Sequence, residues 1–144
     1  MGTIRAAEPA DLPAITDLDR RLTGETKATY WQQTLERYAG GPPDRHFLVA
    51  ETATRALAGF AVGEVRAWEF GQPAAGWVFA LQVDPELRLK GIGTTLFDAL
   101  CARFREQGVR RVRTLVDRRD HLILSFFRSQ GMVAGPSLEL DREL

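Results

Sequence analysis

The sequence is poor in the residues from which disulfides and metal sites are built. It has one cysteine, Cys101, and two histidines, His46 and His121, in 144 residues. A single cysteine excludes an internal disulfide and a cysteine-ligated metal cluster. The two histidines are far apart and have no partner at ligand spacing, so no metal is expected. Cys101 lies within an apolar helical pattern, which favours a buried, inert thiol over a nucleophile.

An excess of one charge sign and long hydrophobic runs are also missing. Nineteen Lys and Arg residues balance nineteen Asp and Glu residues, so no global field attracts nucleic acid or an anionic membrane. No apolar run approaches the length of a membrane span or a signal-peptide core. We therefore expect a cytoplasmic protein without nucleic-acid or membrane partners. A composition of 44% apolar and 26% charged residues fits one globular domain over residues 1–144.

Apolar periodicity divides the chain into short strands and amphipathic helices. Asp11 is expected to cap the first helix, which ends near Gly24. The order predicts an antiparallel meander with two helices near its start, followed by helix, strand, helix and strand. Strand patterns lie at 3–6, 47–50, 56–65, 76–83, 111–116 and 133–140, and helix patterns at 11–24, 29–38, 92–107 and 120–130.

The turn between the central strand and the following helix carries the pattern most relevant to function. The strand ends at Asp84-Pro85, and the helix begins after Gly91 and Gly93. A helix N-terminus presents unpaired N–H groups and a positive dipole end to phosphate, and glycines let an anion approach the backbone closely. The spacing excludes a P-loop and fits a dinucleotide-binding fingerprint poorly. Glycines that only shape a tight turn are the alternative.

Two separated motifs resemble those of one enzyme family. The segment from Val83 to Leu96, VDPELRLKGIGTTL, resembles the Arg/Gln-x-x-Gly-x-Gly/Ala pyrophosphate-binding motif of the GNAT superfamily of acyl-CoA-dependent N-acetyltransferases. Residues Asp120 to Met132 resemble the last helix of that family, which usually begins with Asn, has Tyr seven residues later and ends in Gly-Phe. The resemblance implies an α/β (α+β) fold with a central mixed, mostly antiparallel sheet of six to seven strands, about four flanking helices and splayed central strands.

The resemblance also implies acetyl-CoA as the cofactor. Its pantetheine is expected to pair like an added strand with the backbone of Leu81 and Val83. The N–H group near Val83 would polarise the thioester carbonyl while an amine attacks directly in a ternary complex. For Asp120, a helix N-cap is the alternative role. The expected cofactor contacts are Leu81, Val83, Arg88, Leu89, Lys90, Gly91, Ile92, Gly93, Thr94, Asp120 and Phe127.

The chain departs from the family at both usual catalytic side chains. Trp77 stands where some members have a Glu, and Phe127 stands where Tyr is usual. Glu64 on the preceding strand is the candidate base, acting through water, with a solvated strand carboxylate as the alternative. Water or Ser125 would stabilise the leaving thiolate.

The segment from Asp19 to Trp31 lies where the resembled family builds one wall of the acceptor site. Glu25, Trp31 and Gln82 are the candidate substrate-binding residues, and Asp19 could also meet a cationic substrate. Ordinary surface positions are the alternative for Glu25 and Asp19, because exposed carboxylates usually need no functional explanation.

The missing base favours an acceptor of low pKa. Deprotonating a lysine of pKa about 10.4 at pH 7 costs about 4.6 kcal/mol, whereas an α-amine near 7.8 costs about 1 kcal/mol. We therefore expect an N-acetyltransferase, monomeric or homodimeric through its last strand, that acts on a protein or peptide α-amine or a small amine.

Two alternatives of other classes remain. The first is an acyl-CoA-binding sensor or interaction module without turnover. The second is a small RNA- or protein-binding domain that uses a basic belt, although a solvated face is the simpler interpretation of that belt. The belt consists of Arg103, Arg105, Arg110, Arg111, Arg113, Arg118 and Arg119.

Overall fold

In the computed structural model, five strands and four helices follow one another along the chain. Residues 2–40 and 43–144 are described, except for the side chains of residues 88–90. The strands are β1 (Thr3–Ala6), β2 (Arg45–Glu51), β3 (Leu57–Arg66), β4 (Ala75–Val83) and β5 (Val112–Thr114). The helices are α1 (Leu12–Thr23), α2 (Ala28–Tyr38), α3 (Ile92–Glu106) and α4 (His121–Ser129). Short 3-10 turns lie at Pro9–Asp11, Glu69–Gly71 and Pro85–Lys90.

The strands form one sheet in the order β1-β2-β3-β4-β5. Strands β1 to β4 pair antiparallel, whereas β4 and β5 pair in parallel because α3 crosses over between them. The predicted antiparallel meander and mixed sheet are confirmed. The predicted count of six to seven strands is wrong, because the described residues form five.

Two local predictions also need correction. Residues 133–140 form no strand, and Val133, Leu138 and Leu140 are 82–89% exposed, so their apolar pattern finds no sheet to pair with in the chain. Asp11 does not cap α1 through its side chain. Its carboxylate instead accepts hydrogen bonds from the Arg5 guanidinium at 2.8 Å and from the Glu8 N–H at 2.7 Å.

The sheet is buried on both faces. One face packs against α1 and α2 through a cluster that includes Ile15, Leu18, Trp31 and Phe60. The other packs against α3 and α4 through a larger cluster that includes Leu96, Leu100, Phe104 and Phe127. Cys101 is buried in the second cluster, as predicted, and burial raises the pKa of its thiol. None of the described helices is long and apolar enough to cross a membrane.

Small residues let α3 lie close to the sheet. A Cβ atom at Gly63 would come within 2.8 Å of Phe104 Cζ, and one at Gly76 would overlap the Phe104 ring. Phe104 is 2% exposed, so the ring has little room to move aside. The close approach of α3 sets the position of its N-terminus beside the end of β4.

We therefore predict that Gly76→Ala destabilises the protein by about 1–3 kcal/mol, because it overpacks the core against Phe104. Urea unfolding at pH 7 measures this change. Gly135→Ala is the matched control, because a Cβ atom there has no neighbour within 4 Å. Equal midpoints for the two variants would contradict the packing argument.

Candidate active site

A groove opens where β4 and β5 separate. The two strands pair only at Gly76, Trp77 and Val78. On the other side of β4, Val62 pairs with Ala80 and Gly63 with Val78, so Phe79 is an extra, unpaired residue. An extra residue of this kind is a β-bulge, and it bends the strand. Beyond it lies a groove of about 210 Å³, lined by Val78, Phe79, Ala80, Leu81, Thr114, Leu115, Val116, Asp117, Asp120, Ile123 and Phe127. The central strands thus splay as the sequence resemblance implied.

Backbone N–H and C=O groups of β4 point toward the side of the strand on which this groove lies. The Asp84 N–H donates to the Ala58 carbonyl at 2.8 Å. Residues of an antiparallel strand alternate in the direction of their backbone groups, so Gln82 and Ala80 also face β3, whereas Leu81 and Val83 face the opposite side. No strand pairs with β4 there, because β5 ends its pairing at Val78. The two backbone segments predicted to meet a cofactor are therefore unpaired within the sheet.

The N-terminus of α3 lies beyond the end of β4 and is open. Gly91 is its N-cap with φ +74°, and no side chain caps the helix. A Cβ atom at Gly91 would meet none of the described atoms within 4 Å, so these atoms leave room for a ligand. The first intrahelical bond runs from the Thr95 N–H to the Gly91 carbonyl at 3.0 Å. The N–H groups of residues 92–94 precede it and are the unpaired donors of a helix start. These features fit a diphosphate.

The other residues of this turn have different surroundings. A Cβ atom at Gly93 would meet Phe126 Cε1 at 3.2 Å, so this glycine allows α4 to pack closely. The Thr94 hydroxyl accepts a hydrogen bond from Gln130 Nε2 at 3.0 Å. Ile92, the first residue of α3, is partly buried and packs against the core. The predicted cofactor contacts of the side chains of Arg88, Leu89 and Lys90 lie outside the described part of the structure.

The start of α4 forms the other wall of the groove. Asp120 caps this helix by accepting from the Ile123 N–H at 3.1 Å, which confirms the N-cap role, and it also lines the groove. Phe127 is 5% exposed and presents part of its ring there. Ser125 is exposed and does not line the groove. A spacing of two residues places it on a different side of the helix from Phe127, so it is a poor donor to a thiolate in the groove.

The groove offers no ready proton donor among its described side chains. Asp117 and Asp120 are the two carboxylates in its lining. Hydrogen bonds from the Arg119 side chain and backbone lower the pKa of Asp117 to about 2, so it is ionised at neutral pH. The Thr114 hydroxyl donates to the Val78 carbonyl at 2.9 Å. Sequence reasoning missed Thr114 and the half-exposed Phe79, since neither belongs to a motif.

A buried carboxylate lies on the opposite face of β4. Asp19 on α1 is 1% exposed, so the surface position considered for it is wrong. It accepts hydrogen bonds from Trp31 Nε1 at 3.0 Å and Gln82 Nε2 at 2.8 Å. Lys27 Nζ lies 3.2 Å from its carboxylate. We call these four residues the Asp19 cluster; it joins α1, α2, the loop between them and β4.

The cluster keeps Asp19 ionised. Burial by itself would raise the pKa of this carboxylate, but hydrogen bonds from Gln82, Trp31 and Lys27 and the charge of Lys27 outweigh burial and lower the pKa below 3.8. An ionised carboxylate only accepts hydrogen bonds. The Gln82 amide therefore points its donor, Nε2, toward Asp19. Gln82 Oε1 is buried and has no hydrogen-bond partner among the described residues.

Two other predicted acceptor residues have contrasting positions. Trp31 is 3% exposed and packs edge-on against Phe60 at a centroid distance of 5.0 Å. It supports Asp19 from the core and offers no exposed surface to a substrate. Glu25 is exposed in the loop between α1 and α2, where it is accessible to an acceptor. Lys27, which the sequence reasoning did not single out, completes the cluster.

Glu64 occupies a separate polar cluster on the same face of the sheet. Its carboxylate accepts from the Tyr38 hydroxyl at 2.8 Å and lies 3.6 and 3.5 Å from the Arg45 and Arg66 guanidinium groups. Burial and the hydrogen bond to Glu64 raise the pKa of Tyr38, so its phenol stays protonated. Glu64 pairs across the sheet with Trp77. It is neither fully solvated nor adjacent to Leu81 and Val83.

A larger cavity, of about 370 Å³, lies on the other side of the α3 N-terminus. It is lined by Ile4, Ala50, Ala58, Leu87, Ile92 and neighbouring residues of β1 and of the turn after β2. Its one carboxylate, Glu51, pairs with Arg5 at 3.2 Å. This cavity has size but no group that suits catalysis, so the groove is the better candidate site. Among the described residues, no three His, Cys, Asp or Glu side chains are placed to hold a metal.

Comparisons with known proteins agree with this geometry. Residues 12–132 match the model of the acetyltransferase (GNAT) family. No curated protein is detectably similar in sequence. The fold is similar to aminoglycoside 6'-N-acetyltransferase AAC(6')-Ih from Acinetobacter baumannii, with TM-score 0.84, 14% identity and coverage of 100% of this chain and 99% of that one.

Two further solved structures are similar. Glucosamine-6-phosphate N-acetyltransferase from Arabidopsis thaliana has TM-score 0.77 and 19% identity, with 99% of this chain and 98% of that chain covered. AAC(6')-Iy in complex with the bisubstrate analog CoA-S-monomethyl-acetylneamine has TM-score 0.83 and 16% identity, with 100% and 99% covered.

The family match covers most of the chain, and it includes the groove and the open helix terminus. The protein therefore belongs to the GNAT family of acetyltransferases. It is an N-acetyltransferase whose cofactor is acetyl-CoA.

The Asp19 cluster yields a stability prediction. We expect Asp19→Asn to lower the free energy of unfolding at pH 7 by about 2–3 kcal/mol, because it removes charge-assisted hydrogen bonds to a buried carboxylate. The folded pKa of Asp19 is lowered, so its contribution is present above the unfolded value of 3.8 and is lost as pH falls through the folded pKa.

Urea unfolding over a pH series tests this. The difference between the native protein and Asp19→Asn should shrink below pH 3.8. Asp17→Asn is the control, because Asp17 is an exposed residue of the same helix. A pH-independent loss in Asp19→Asn would show that the side-chain shape matters and the charge does not.

Proposed function

We propose that this chain transfers the acetyl group of acetyl-CoA directly to an amine of low pKa, bound beside Gln82. The observation that carries the proposal is the pair of backbone segments at Leu81 and Val83 that no strand pairs with on the side of β5; Leu81 lines a groove there, and an open helix N-terminus follows the end of β4. A ligand with an amide-containing arm and a diphosphate would satisfy both sets of groups.

Each part of the groove then has a role. The N–H groups of residues 92–94 bind the diphosphate, and Gly91 leaves space for it. Leu81 and Val83 hold the pantetheine arm as an added strand. When bound, acetyl-CoA supplies the activated thioester. The N–H of Val83 donates to the thioester carbonyl oxygen and strengthens that hydrogen bond as negative charge develops.

The acceptor amine must arrive largely neutral, because none of the described side chains beside Leu81 and Val83 is a strong base. Asp19 is nearby through Gln82, but its lowered pKa makes it a poor proton acceptor. An amine of low pKa avoids this difficulty. The relatives act on amines of sugars, namely glucosamine-6-phosphate and aminoglycosides. Sugar amines therefore join α-amines as the acceptors to be tested.

Gln82 orients the acceptor in this proposal. Its Nε2 is held by Asp19, while its Oε1 lacks a partner among the described residues. An unsatisfied buried acceptor costs about 1–3 kcal/mol. A shift of the Gln82 side chain that brings Oε1 to the surface would let an amine N–H of the substrate donate to it and relieve that cost. Gln82 lies between Leu81 and Val83 in the chain, so the amine would be held beside the thioester. Glu25, which is exposed, would attract a cationic acceptor.

Glu64 is the candidate for proton removal through water. Its partner Trp77 lies four residues before Leu81 on β4, a separation of about 13 Å at 3.3 Å per residue. A direct transfer is therefore excluded, and a relay would need ordered water. The carboxylate would also have to give up contacts with Tyr38, Arg45 or Arg66 to accept a proton.

We predict acetyl-CoA-dependent turnover with low-pKa amines, measured as thiol release over a panel of amines. At pH 7, an α-amine should exceed a lysine side chain by up to about 400-fold in kcat/KM, the ratio given by their deprotonation costs, and sugar amines belong to the same panel. The advantage should shrink as pH rises toward 10. Thermal stabilisation by CoA without thiol release from any amine would instead identify an acyl-CoA-binding module.

Variants at Gly91 test the proposed diphosphate-binding position, measured as thermal stabilisation by CoA. Gly91→Glu places a carboxylate at the helix N-terminus and should abolish stabilisation by CoA through charge repulsion. Gly91→Ala is the matched control, because it has the same backbone strain at φ +74° without the charge. It should keep most of that stabilisation. Equal loss in both variants would contradict the role assigned to this terminus.

A pair of substitutions separates positioning from proton transfer. Gln82→Met should raise KM for the amine about tenfold or more, as expected for a lost hydrogen bond to a charged or polar group, and leave stabilisation by CoA unchanged. Glu64→Gln should lower kcat and move the rise of rate with pH to higher pH. An intact pH profile with reduced thermal stability would assign Glu64 a structural role only.

A further inference from the structure

An ion pair joins α1 to the residue that follows β4. Both terminal nitrogens of the Arg21 guanidinium donate to one oxygen of Asp84, Oδ2, at 3.4 and 3.3 Å. Asp17, one turn earlier on α1, accepts from Arg21 Nε at 3.1 Å. The guanidinium is therefore held on two sides, and α1 presents an oriented cation to the end of β4.

Asp84 organises the turn between β4 and α3. It is the N-cap of the 3-10 turn at Pro85–Lys90. Its Oδ1 accepts from the Glu86 N–H at 3.0 Å, and its carbonyl accepts from the Leu87 N–H at 2.8 Å. The two carboxylate oxygens thus have separate tasks, since one holds the backbone of the turn and the other carries the ion pair. A change in the ion pair also changes the position of the oxygen that holds the turn.

The geometry of this turn is transmitted to the start of α3. The turn ends at Gly91, whose φ of +74° joins it to the helix. The N–H groups of residues 92–94 follow directly. Hydrogen bonds weaken steeply when the donor is poorly aligned, so several N–H groups bind one diphosphate only if the preceding turn aims them together. Asp84 sets where that turn begins.

The ion pair differs from an ordinary surface contact. Arg20 and Asp17 on the same helix also form an ion pair, and their side chains are 50% and 52% exposed. Exposed pairs of that kind contribute little. In contrast, the Asp84 side chain is only 15% exposed and is already bonded to the backbone of the turn. Displacing it therefore has a consequence beyond the pair itself.

α1 contacts β4 at a second point nearby. Asp19 accepts from Gln82 Nε2 at 2.8 Å, and Gln82 lies two residues before Asp84 in the chain. Two side chains of one helix thus hold two neighbouring positions at the end of β4. The helix that carries the Asp19 cluster also carries the cation that holds the turn.

We propose that Arg21 is a positioning residue for acetyl-CoA. It acts through Asp84, which fixes the turn at Pro85–Lys90 and so aligns the N–H groups of residues 92–94 with the diphosphate. This inference rests on the diphosphate position proposed above, and it is independent of the identity of the acceptor. Arg21 thereby affects how tightly the cofactor binds, whereas the reaction of the bound thioester does not require it.

Isothermal titration of the full-length chain with CoA tests the proposal. Arg21→Met should raise the dissociation constant about five- to tenfold, the range between a surface ion pair and a hydrogen bond to a charged group. With the best amine of the panel, KM for acetyl-CoA should rise by a similar factor and kcat should change less than twofold. Arg20→Met is the matched control and should bind CoA as the native protein does.

Two further variants separate positioning from a general loss of stability. Arg21→Lys should recover most of the affinity, because both guanidinium nitrogens meet the same oxygen and one ammonium can replace them. Asp84→Asn keeps an oxygen that can accept from the Glu86 N–H and removes the charge. In that background, Arg21→Met should cause little further loss, because the route through Asp84 is already broken.

The outcomes that would overturn the proposal are distinct from those that bear on the cofactor position. Unchanged CoA affinity in Arg21→Met, or an equal effect of Arg21→Met in the native and Asp84→Asn backgrounds, would overturn the role of Arg21. If Gly91→Glu still abolished CoA binding, the proposed diphosphate position would stand. A lower unfolding temperature without CoA that Arg21→Lys restores, with CoA affinity unchanged throughout, would make the ion pair purely structural and overturn the proposal.

Discussion

The candidate active site depends on one event in the sheet, the loss of pairing between β4 and β5 after three residues. Parallel strands normally satisfy each other's backbone groups along their length. Here the bulge at Phe79 and the end of pairing at Val78 leave the polar groups of Leu81 and Val83 without a strand. Unpaired backbone groups must bond to water or to a ligand. These backbone groups are thus available for hydrogen bonds with an extended ligand that contains amide groups.

The position of α3 is the second part of that arrangement. Gly63 and Gly76 let the Phe104 ring approach the sheet closely, and Gly93 lets α4 approach α3. The helix N-terminus is consequently held beside the end of β4, with Gly91 open above it. Backbone groups from two elements then meet along one groove. Because side-chain identity matters little to main-chain binding, Phe127 in place of the usual Tyr leaves these backbone groups unchanged.

On the opposite face of β4, the main feature is a buried charge, the Asp19 carboxylate. A buried carboxylate is costly unless several donors compensate it, and Asp19 has donors from Trp31, Gln82 and Lys27. The cluster ties both N-terminal helices to β4 and determines which end of the Gln82 amide points away from Asp19. In the proposed function the cluster would supply orientation, whereas proton removal would be left to the acceptor's own low pKa or to a water relay from Glu64. The pKa of the acceptor amine would then affect both which substrates the enzyme accepts and how readily the amine attacks.

Much of the fold could be predicted from local patterns. The first five strand segments and the four helices follow from period-two and helical spacing, and the turn at Gly91 before α3 follows from glycines between a strand and a helix. The family resemblance correctly placed Leu81 and Val83 at the splay. Local sequence also indicated that Asp120 caps α4, because capping involves residues only three apart.

The remaining features depend on contacts between distant residues. The alternation in 133–140 predicts a strand, but a strand exists only where another edge pairs with it, and these residues pair with none of the described strands. Asp19 and Glu25 look alike as carboxylates near the start of the chain, yet Asp19 is buried and Glu25 is exposed. Sequence by itself determined which segments could be helices, strands and an anion-binding turn, because those preferences are local. Only the tertiary structure decided which backbone groups stay unpaired and which charges are buried, because both depend on neighbours far away in the chain.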